Sequence, residues 1–153
     1  MKKFELTSEI KINIFGKKLF RIKALISFGN VKAGETGGWV EKEGNVNQSG
    51  NAWVFGNAEV FGNAEVSGNA RVSGNAEVSG DADYTTIHGF GTQFRTTTFF
   101  RCKDKQVKVS CGCFFGTIPE FREQVKNTRK GKIAEEYLMI ADLMEKHFTE
   151  EAK

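Results

Sequence analysis

Apolar and polar positions alternate with a fixed period through the middle of the chain. Residues 50 to 85 repeat a six-residue phrase, Gly-Asn-Ala-x-Val-x five times and Gly-Asp-Ala-x-Tyr-x once. Ala58 and Val60 lie two residues apart, and such residues in an extended chain point to the same side. The residue between them, Glu59, then faces solvent, while Gly-Asn turns the chain because Gly adopts positive φ without strain. The pattern predicts short strands separated by corners.

The same period argues against the other regular structures. A glycine at every sixth position would cost a helix about 1 kcal/mol each time. Strands this short cannot build paired faces of their own as a flat hairpin array. Short strands with regular corners instead favour a solenoid, in which successive turns hydrogen bond to one another.

Written from valine, the phrase V-x-G-N-A-x resembles the hexapeptide of left-handed parallel β-helices. The stretch "NVKAGETGGWVEKEGNVNQSGNAWVFGNA" is similar to the opening of hexapeptide-like proteins of phages and prophages, including the YdcK-like group. The first residues resemble their N-terminal lead-in, and the tail from Gly89 resembles a unit that follows such repeats in prophage genes. The resemblance implies a mainly β fold, a short left-handed parallel β-helix with a β cap before it and an α+β cap after it.

Composition shifts divide the chain into three predicted segments: an N-terminal β cap over 1–30, the β-helix over 31–85 and an α+β unit over 86–153. Their net charges are +5, −5 and +3 respectively, so an acidic middle lies between basic ends. Val46 in a small-residue position and Gln48 in an aliphatic one predict a distorted first turn of the repeats.

The implied geometry stacks each residue on the one 18 positions later. The rows are then Glu41, Glu59 and Glu77; Asn47, Glu65 and Asp83; and Trp53 over Arg71. Like charges about 5 Å apart repel one another, so a basic partner would relieve the acidic rows. Trp53 and Arg71 would form an outward cation–π pair.

Two further aromatic residues, Phe55 and Phe61, occupy corner positions near Trp53. The sequence therefore predicts a surface for a host protein partner, made of Trp53, Phe55, Phe61, Glu41, Glu59, Glu77 and Arg71. The alternative is that the aromatic residues pack under the N-terminal segment, where Ile10, Ile12 and Ile14 alternate with polar residues before a turn.

A hairpin is predicted around Asp104-Lys105. Its core face would hold Phe94, Thr96, Thr98, Phe100, Cys102, Val107, Val109, Cys111, Cys113 and Phe115. The outer face would interleave basic and aromatic residues, which can neutralise phosphate and stack a base. This gives an alternative site for a nucleotide or nucleic acid, made of His88, Arg95, Thr97, Phe99, Arg101 and Lys108. Otherwise Phe99 and Phe114 pack against the repeats and the cationic groups stay solvated.

Two helices follow the hairpin. Thr117 and Glu120 have the spacing of a capping box for a helix that begins near Pro119. The last helix, at about 133 to 148, has one apolar stripe for the sheet and a second formed by Leu138, Met139 and Leu143. The second stripe predicts a homo-oligomer assembled through the C-terminal helix.

Residues capable of catalysis or metal binding are few. Cys102, Cys111 and Cys113 with His88 have the ligand types of a zinc site, but cysteines among Val and Phe indicate core residues. Hexapeptide acyltransferases use a histidine base, and only His88 and His147 are present. No long loop interrupts the repeats to form a cleft. We therefore predict no enzyme, no metal and no cofactor, with an acyltransferase as a further alternative.

Three cysteines and the absence of a long apolar run favour a cytoplasmic protein without a membrane partner. The resulting hypothesis is a non-enzymatic phage or prophage protein that acts by occupying a host target. Its resemblance to mobile-element proteins implies inhibition of an antiviral defence system. The alternative from the residues themselves is a nucleotide-binding or nucleic-acid-binding module.

Overall fold

The computed structural model describes residues 2–93, 95–112 and 114–149, and the side chain of Asp81 is not described. The strands are β1 (Phe4–Ile12), β2 (Lys18–Ala24), β3 (Thr36–Val40), β4 (Trp53–Val54), β5 (Glu59–Val60), β6 (Arg71–Val72), β7 (Glu77–Val78), β8 (Tyr84–Phe90), β9 (Arg95–Arg101), β10 (Val107–Cys111) and β11 (Phe114–Thr117). The helices are α1 (Ile118–Thr128) and α2 (Gly131–Phe148). Short 3-10 turns lie at Glu43–Asn45 and Asp81–Asp83.

The strands form three small sheets in a mixed α/β fold. One has the order β1-β2-β3-β5-β7, the second β11-β10-β9-β8 and the third β4-β6. The prediction of a mainly β chain built on a left-handed parallel β-helix is therefore wrong. Each repeat supplies only a two-residue strand or an isolated bridge, and the parallel strands β3, β5 and β7 continue into the antiparallel hairpin β1–β2.

The repeats do pair in parallel, but their spacing changes along the chain. Residues 18 apart pair at Glu59 with Glu77 and at Trp53 with Arg71. Earlier pairs are 20 apart, because Glu59 lies opposite Trp39 and Val66 lies opposite Val46. Two extra residues between Val46 and Val54 cause this difference. Glu41 and Asn47 therefore do not stack on Glu59 and Glu65 as predicted, whereas the predicted stacking of Glu59 on Glu77 and of Trp53 on Arg71 is confirmed.

The inward orientation of the repeated alanines and valines is confirmed. Every Ala and Val at these positions from Ala52 to Val78 is at most 1% exposed. Val46 is equally buried, and the Gln48 amide oxygen instead accepts the Lys3 N–H at 2.7 Å. The predicted positions of these two side chains are wrong, because Val46, opposite Val66, occupies the aliphatic position that was assigned to Gln48, and the extra residues come after it.

The N-terminal hairpin covers one side of the repeats. β1 and β2 pair antiparallel, and the Asn13 side-chain oxygen accepts the N–H of Phe15 at 3.0 Å in the turn between them. Phe4 packs into the repeat core, whereas Ile12 at the far end of β1 is 62% exposed. The hairpin thus projects beyond the core that it covers.

The C-terminal hairpin of β9 and β10 differs from the prediction by one residue in register. Val109 pairs with Phe99, because the turn closes where the Cys102 N–H donates to the Gln106 carbonyl and Lys105 adopts φ 70°. A shift of one residue moves every side chain of a strand to the other face. The predicted core face is therefore wrong for β10.

Both faces of this second sheet are covered. Phe100 and Cys102 belong to the repeat core, whereas Phe99 and Val109 pack with the two helices. The predicted solvent-facing position of Phe99 is thus also wrong. Phe94 and Cys113, which were assigned to the core face, lie outside the described residues.

The helices begin and pack as their sequence indicates. The Thr117 hydroxyl accepts the Glu120 N–H at 3.3 Å, and the Glu120 carboxylate accepts the Thr117 N–H at 2.8 Å, which confirms the capping box. In α2 the predicted inner stripe is buried except for the half-buried Ile133. Of the predicted second stripe, Met139 is 69% and Leu143 58% exposed, but Leu138 is half-buried against the helix core, so its assignment to the outer stripe is wrong. No helix in the described part of the chain is long and apolar enough to span a bilayer.

Candidate functional site

The aromatic part of the predicted protein-binding surface is covered. Trp53 is 1% exposed and packs edge to face on Phe4 and Phe28, with ring centroids 5.8 and 5.3 Å apart. Phe61 is 4% exposed and lies beside Phe15. The prediction of outward aromatics is wrong for Trp53 and Phe61, and the alternative that they pack under the N-terminal segment is confirmed.

Glu59 is held by two lysines from different parts of the chain. Its carboxylate lies 2.9 Å from the Lys11 ammonium and 2.7 Å from that of Lys103. The side chain is 1% exposed, so the predicted solvent-facing position of Glu59 is wrong. Burial by itself raises the pKa of this carboxyl, but the hydrogen bonds from Lys103 and Lys11 outweigh it, and the pKa lies below its usual value. Glu59 therefore clamps the N-terminal hairpin and the C-terminal hairpin onto the repeats.

Glu77, the neighbour of Glu59 in the parallel pair, has the opposite environment. Its Oε2 is buried and has no hydrogen-bond partner among the described residues. Burial and the charge of Glu59 raise the pKa of the Glu77 carboxyl. Glu41 does not belong to this pair. Its Oε1 accepts the Gly62 N–H at 2.9 Å, and its other oxygen is 3.9 Å from the Lys17 ammonium.

The predicted hairpin site is divided by the sheet. Thr97 and Phe99 are 2% and 0% exposed, so neither is open to a ligand. The Arg101 guanidinium is 3.2 Å from the Asp83 carboxylate and lies over the Phe148 ring, and the Lys108 ammonium lies over the Phe115 ring. The two remaining members, His88 and Arg95, lie in a separate place.

Two of the three cysteines are described, and they lie on different sides of the second sheet. Cys102 is buried in the repeat core, where burial raises the pKa of its thiol to about 12. Cys111 accepts a hydrogen bond from the Thr97 hydroxyl at 3.2 Å on the helix side. No group of three metal-ligating side chains occurs in the described residues.

A groove between the repeats and the second sheet brings together residues from both predicted sites. We call it the arginine groove; it has a volume of about 510 Å³ and is lined by Gly29, Asn30, Val31, Asn51, Phe55, Asn69, Arg71, His88, Arg95, Thr96 and Gly112. Among the described residues none of the lining side chains is acidic. A hydrogen bond of 3.1 Å from the Arg71 N–H to the Thr98 hydroxyl joins the two walls.

The groove holds its two arginines in fixed positions without a carboxylate. The Arg71 guanidinium lies 5.0 Å from the centroid of the half-buried Phe55 ring, which replaces the predicted pair with Trp53. Arg95 is held by Gln93. The side-chain oxygen of Gln93 accepts hydrogen bonds from Arg95 Nε, at 3.0 Å, and from Arg95 Nη2. A side chain at Gly112 would overlap Arg95 Nη1, so glycine leaves the space that the guanidinium occupies. Neither arginine makes an ion pair with a carboxylate in the described residues.

Polar side chains complete the walls. His88 Nδ1 lies 2.8 Å from the Thr96 hydroxyl, so the contact with Thr96 uses only one of the two ring nitrogens. Asn51 and Asn69 occupy equivalent corners of repeats 18 residues apart, and both are exposed. These asparagines could not be singled out from the sequence, because Gly-Asn recurs at almost every corner and nothing in the phrase distinguishes the two that meet the second sheet.

No protein-family model matches this chain, and no curated protein is significantly similar to it.

Proposed function

We propose that the protein binds a small phosphate-bearing ligand of the nucleotide class in the arginine groove. The observation that carries the proposal is a cavity of about 510 Å³ with Arg71 and Arg95 in its walls and no described acidic side chain in its lining. The volume lies within the roughly 300–1,000 Å³ typical of small-molecule sites.

Unpaired arginines suit a phosphate ligand for a physical reason. A guanidinium is planar, stays charged and offers paired N–H donors that match two phosphate oxygens. Gln93 accepts hydrogen bonds from Nε and Nη2 of Arg95, so the Nη1 group and the second N–H of Nη2 remain as donors for a ligand. Because the hydrogen bonds to Gln93 already orient the guanidinium, less side-chain entropy is lost on binding.

The remaining lining supports the nucleoside part of such a ligand. The Arg71 guanidinium stacks on Phe55 with one face, and its other face is of the kind on which a base stacks. The carboxamides of Asn51 and Asn69 both donate and accept hydrogen bonds, as sugar hydroxyls and base edges require. These contacts favour a nucleotide over a simple anion.

The hypothesis of a host protein partner fits this arrangement less well. Its centre was Trp53 and Phe61, which are covered, and Glu59 already has two lysine partners. We therefore keep the wider hypothesis, that a phage or prophage protein acts by occupying a host target. We propose that this target is a small ligand in the cytoplasm of the host and not a host protein.

Isothermal titration with inorganic pyrophosphate and with ATP tests the proposal. Both probes should bind the wild type, and binding should weaken with salt because exposed charges are screened over about 8–10 Å. Arg71→Gln and Arg95→Gln should each weaken binding about tenfold, the equivalent of one charged hydrogen-bonded contact.

Lys126→Gln provides the matched control, since it removes one positive charge from an exposed position on α1, away from the groove lining. It should leave the affinity unchanged. Absence of binding by both probes, or equal affinities for the wild type and the two arginine variants, would contradict the proposal.

A further inference from the structure

The exposed side of α2 carries an apolar pair between charged residues of opposite sign. Met139 and Leu143 are 69% and 58% exposed, and they are the largest apolar exposures on either helix. Glu135 lies one turn before Met139, and Lys146 lies about one turn after Leu143. At 100° per residue these four side chains lie on one side of the helix, within a stripe about 80° wide.

The charges on this stripe have no ion-pair partner among the described residues. Within the described part of the chain, neither Glu135 nor Lys146 takes part in an ion pair, although Arg122 on α1 binds both Asp142 and Glu145 at the edge of the stripe. An exposed apolar pair flanked by free charges of opposite sign is complementary to itself when the helix is turned end to end.

We infer that two copies of the chain associate through α2, with the two helices antiparallel about a twofold axis near Ala141. Glu135 lies about 9 Å and Lys146 about 7.5 Å from that point along the helix axis, at 1.5 Å per residue. The twofold axis therefore brings each Glu135 beside Lys146 of the partner subunit and places Met139 against Leu143 of the partner subunit. Both charge pairs form because an isologous interface repeats each contact twice.

The antiparallel direction follows from the same charges. In a parallel pair, Glu135 would face Glu135 of the partner subunit and Lys146 would face Lys146 of the partner subunit, so both contacts would repel. In the antiparallel pair both contacts attract. The apolar pair supplies the association, and the charges select its direction.

Sedimentation equilibrium over a series of protein concentrations tests the inference on the full chain. The wild type should dimerise, and Met139→Glu should be a folded monomer, as checked by circular dichroism. Lys146→Glu and Glu135→Lys should each raise the dimer dissociation constant about tenfold, because two attractive contacts become repulsive.

The double variant Glu135→Lys/Lys146→Glu should restore the wild-type dissociation constant, since both pairs attract again with their signs exchanged. Lys126→Glu makes the same charge change as Lys146→Glu on α1 and should have no effect. A wild type that stays monomeric throughout the series overturns the inference. A double variant that associates no more tightly than either single variant overturns the antiparallel pairing. Neither result depends on whether the arginine groove binds a nucleotide.

Discussion

The two charged faces of the repeats differ in whether the protein itself supplies a group of opposite charge. On the face formed by β5 and β7 it does, because Lys11 and Lys103 both contact the Glu59 carboxylate. On the face formed by β4 and β6, Arg71 stacks on Phe55 and has no acidic partner among the described residues. Strands with the same phrase therefore present one neutralised face and one that keeps its positive charge.

The difference shows how one repeat serves two purposes. The residue between Ala and Val is free to vary because it points away from the core, so Glu at one turn and Arg at the next cost the core nothing. Glu59 joins three distant segments of the chain into one unit. Arg71 instead remains available in a groove whose opposite wall comes from the second sheet. One face holds the segments of the chain together, and the other is the one that we propose for ligand binding.

The largest expected effect comes from the core that lies beneath both faces. Val72 is 0% exposed, and Val72→Asp would bury a carboxylate without a partner. We expect a loss of more than about 4 kcal/mol in the free energy of unfolding, and the chain should not fold. Thermal unfolding followed by circular dichroism measures the loss. Asn63→Asp, which adds the same charge at an exposed corner, should stay folded, and equal tolerance of both changes would contradict the buried position of Val72.

A smaller effect is expected from the neutralised face. Glu59→Gln removes the charge that Lys11 and Lys103 bind, and should lower the free energy of unfolding by about 2 kcal/mol at neutral pH. Since the pKa of Glu59 is lowered in the folded state, its contribution is present above the ordinary pKa of glutamate and is lost as pH falls through the folded pKa. The difference between wild type and variant, measured by urea unfolding, should therefore shrink on acidification. A difference that is constant with pH would show that the lysines contribute little.

The smallest effect should have the opposite sign. Glu77 has a raised pKa, so its charged form is disfavoured in the folded state and the protein gains stability as pH falls through that pKa. Glu77→Gln should raise the free energy of unfolding at neutral pH, by less than about 1 kcal/mol, and the gain should vanish below the ordinary pKa of glutamate. The same urea series measures it. If Glu77→Gln destabilises the protein as Glu59→Gln does, the two neighbouring carboxylates do not differ as described.

Local periodicity was enough to predict the interior of the repeats and the ends of the helices. Ala58 and Val60 are buried because a period of two puts them on one side of a strand. Thr117 caps α1 because its hydroxyl reaches the N–H three residues later. The overall fold was predicted incorrectly, because a six-residue phrase does not specify whether its short strands make a parallel β-helix or join a neighbouring antiparallel hairpin.

The candidate site was predicted in pieces. Arg71 and Phe55 were assigned to one surface, and His88 and Arg95 to another. They meet because β9 lies against the repeats, where the Arg71 N–H reaches Thr98. The errors within each set have a common cause, because a later or earlier segment covers a face that was expected to be open: the helices cover Phe99, and the N-terminal segment covers Trp53 and Phe61.

The sequence alone determined which positions turn inward, where α1 begins and which stripe of α2 stays apolar. Each of these depends on residues within one or two turns of each other, so the spacing along the chain contains the information. Only the tertiary structure decided that Lys11 and Lys103 neutralise Glu59, that the N-terminal hairpin covers Trp53, and that Arg71 faces Arg95 across a groove. These arrangements bring together residues 24 to 49 positions apart, and their free energy depends on packing between segments that no local pattern relates.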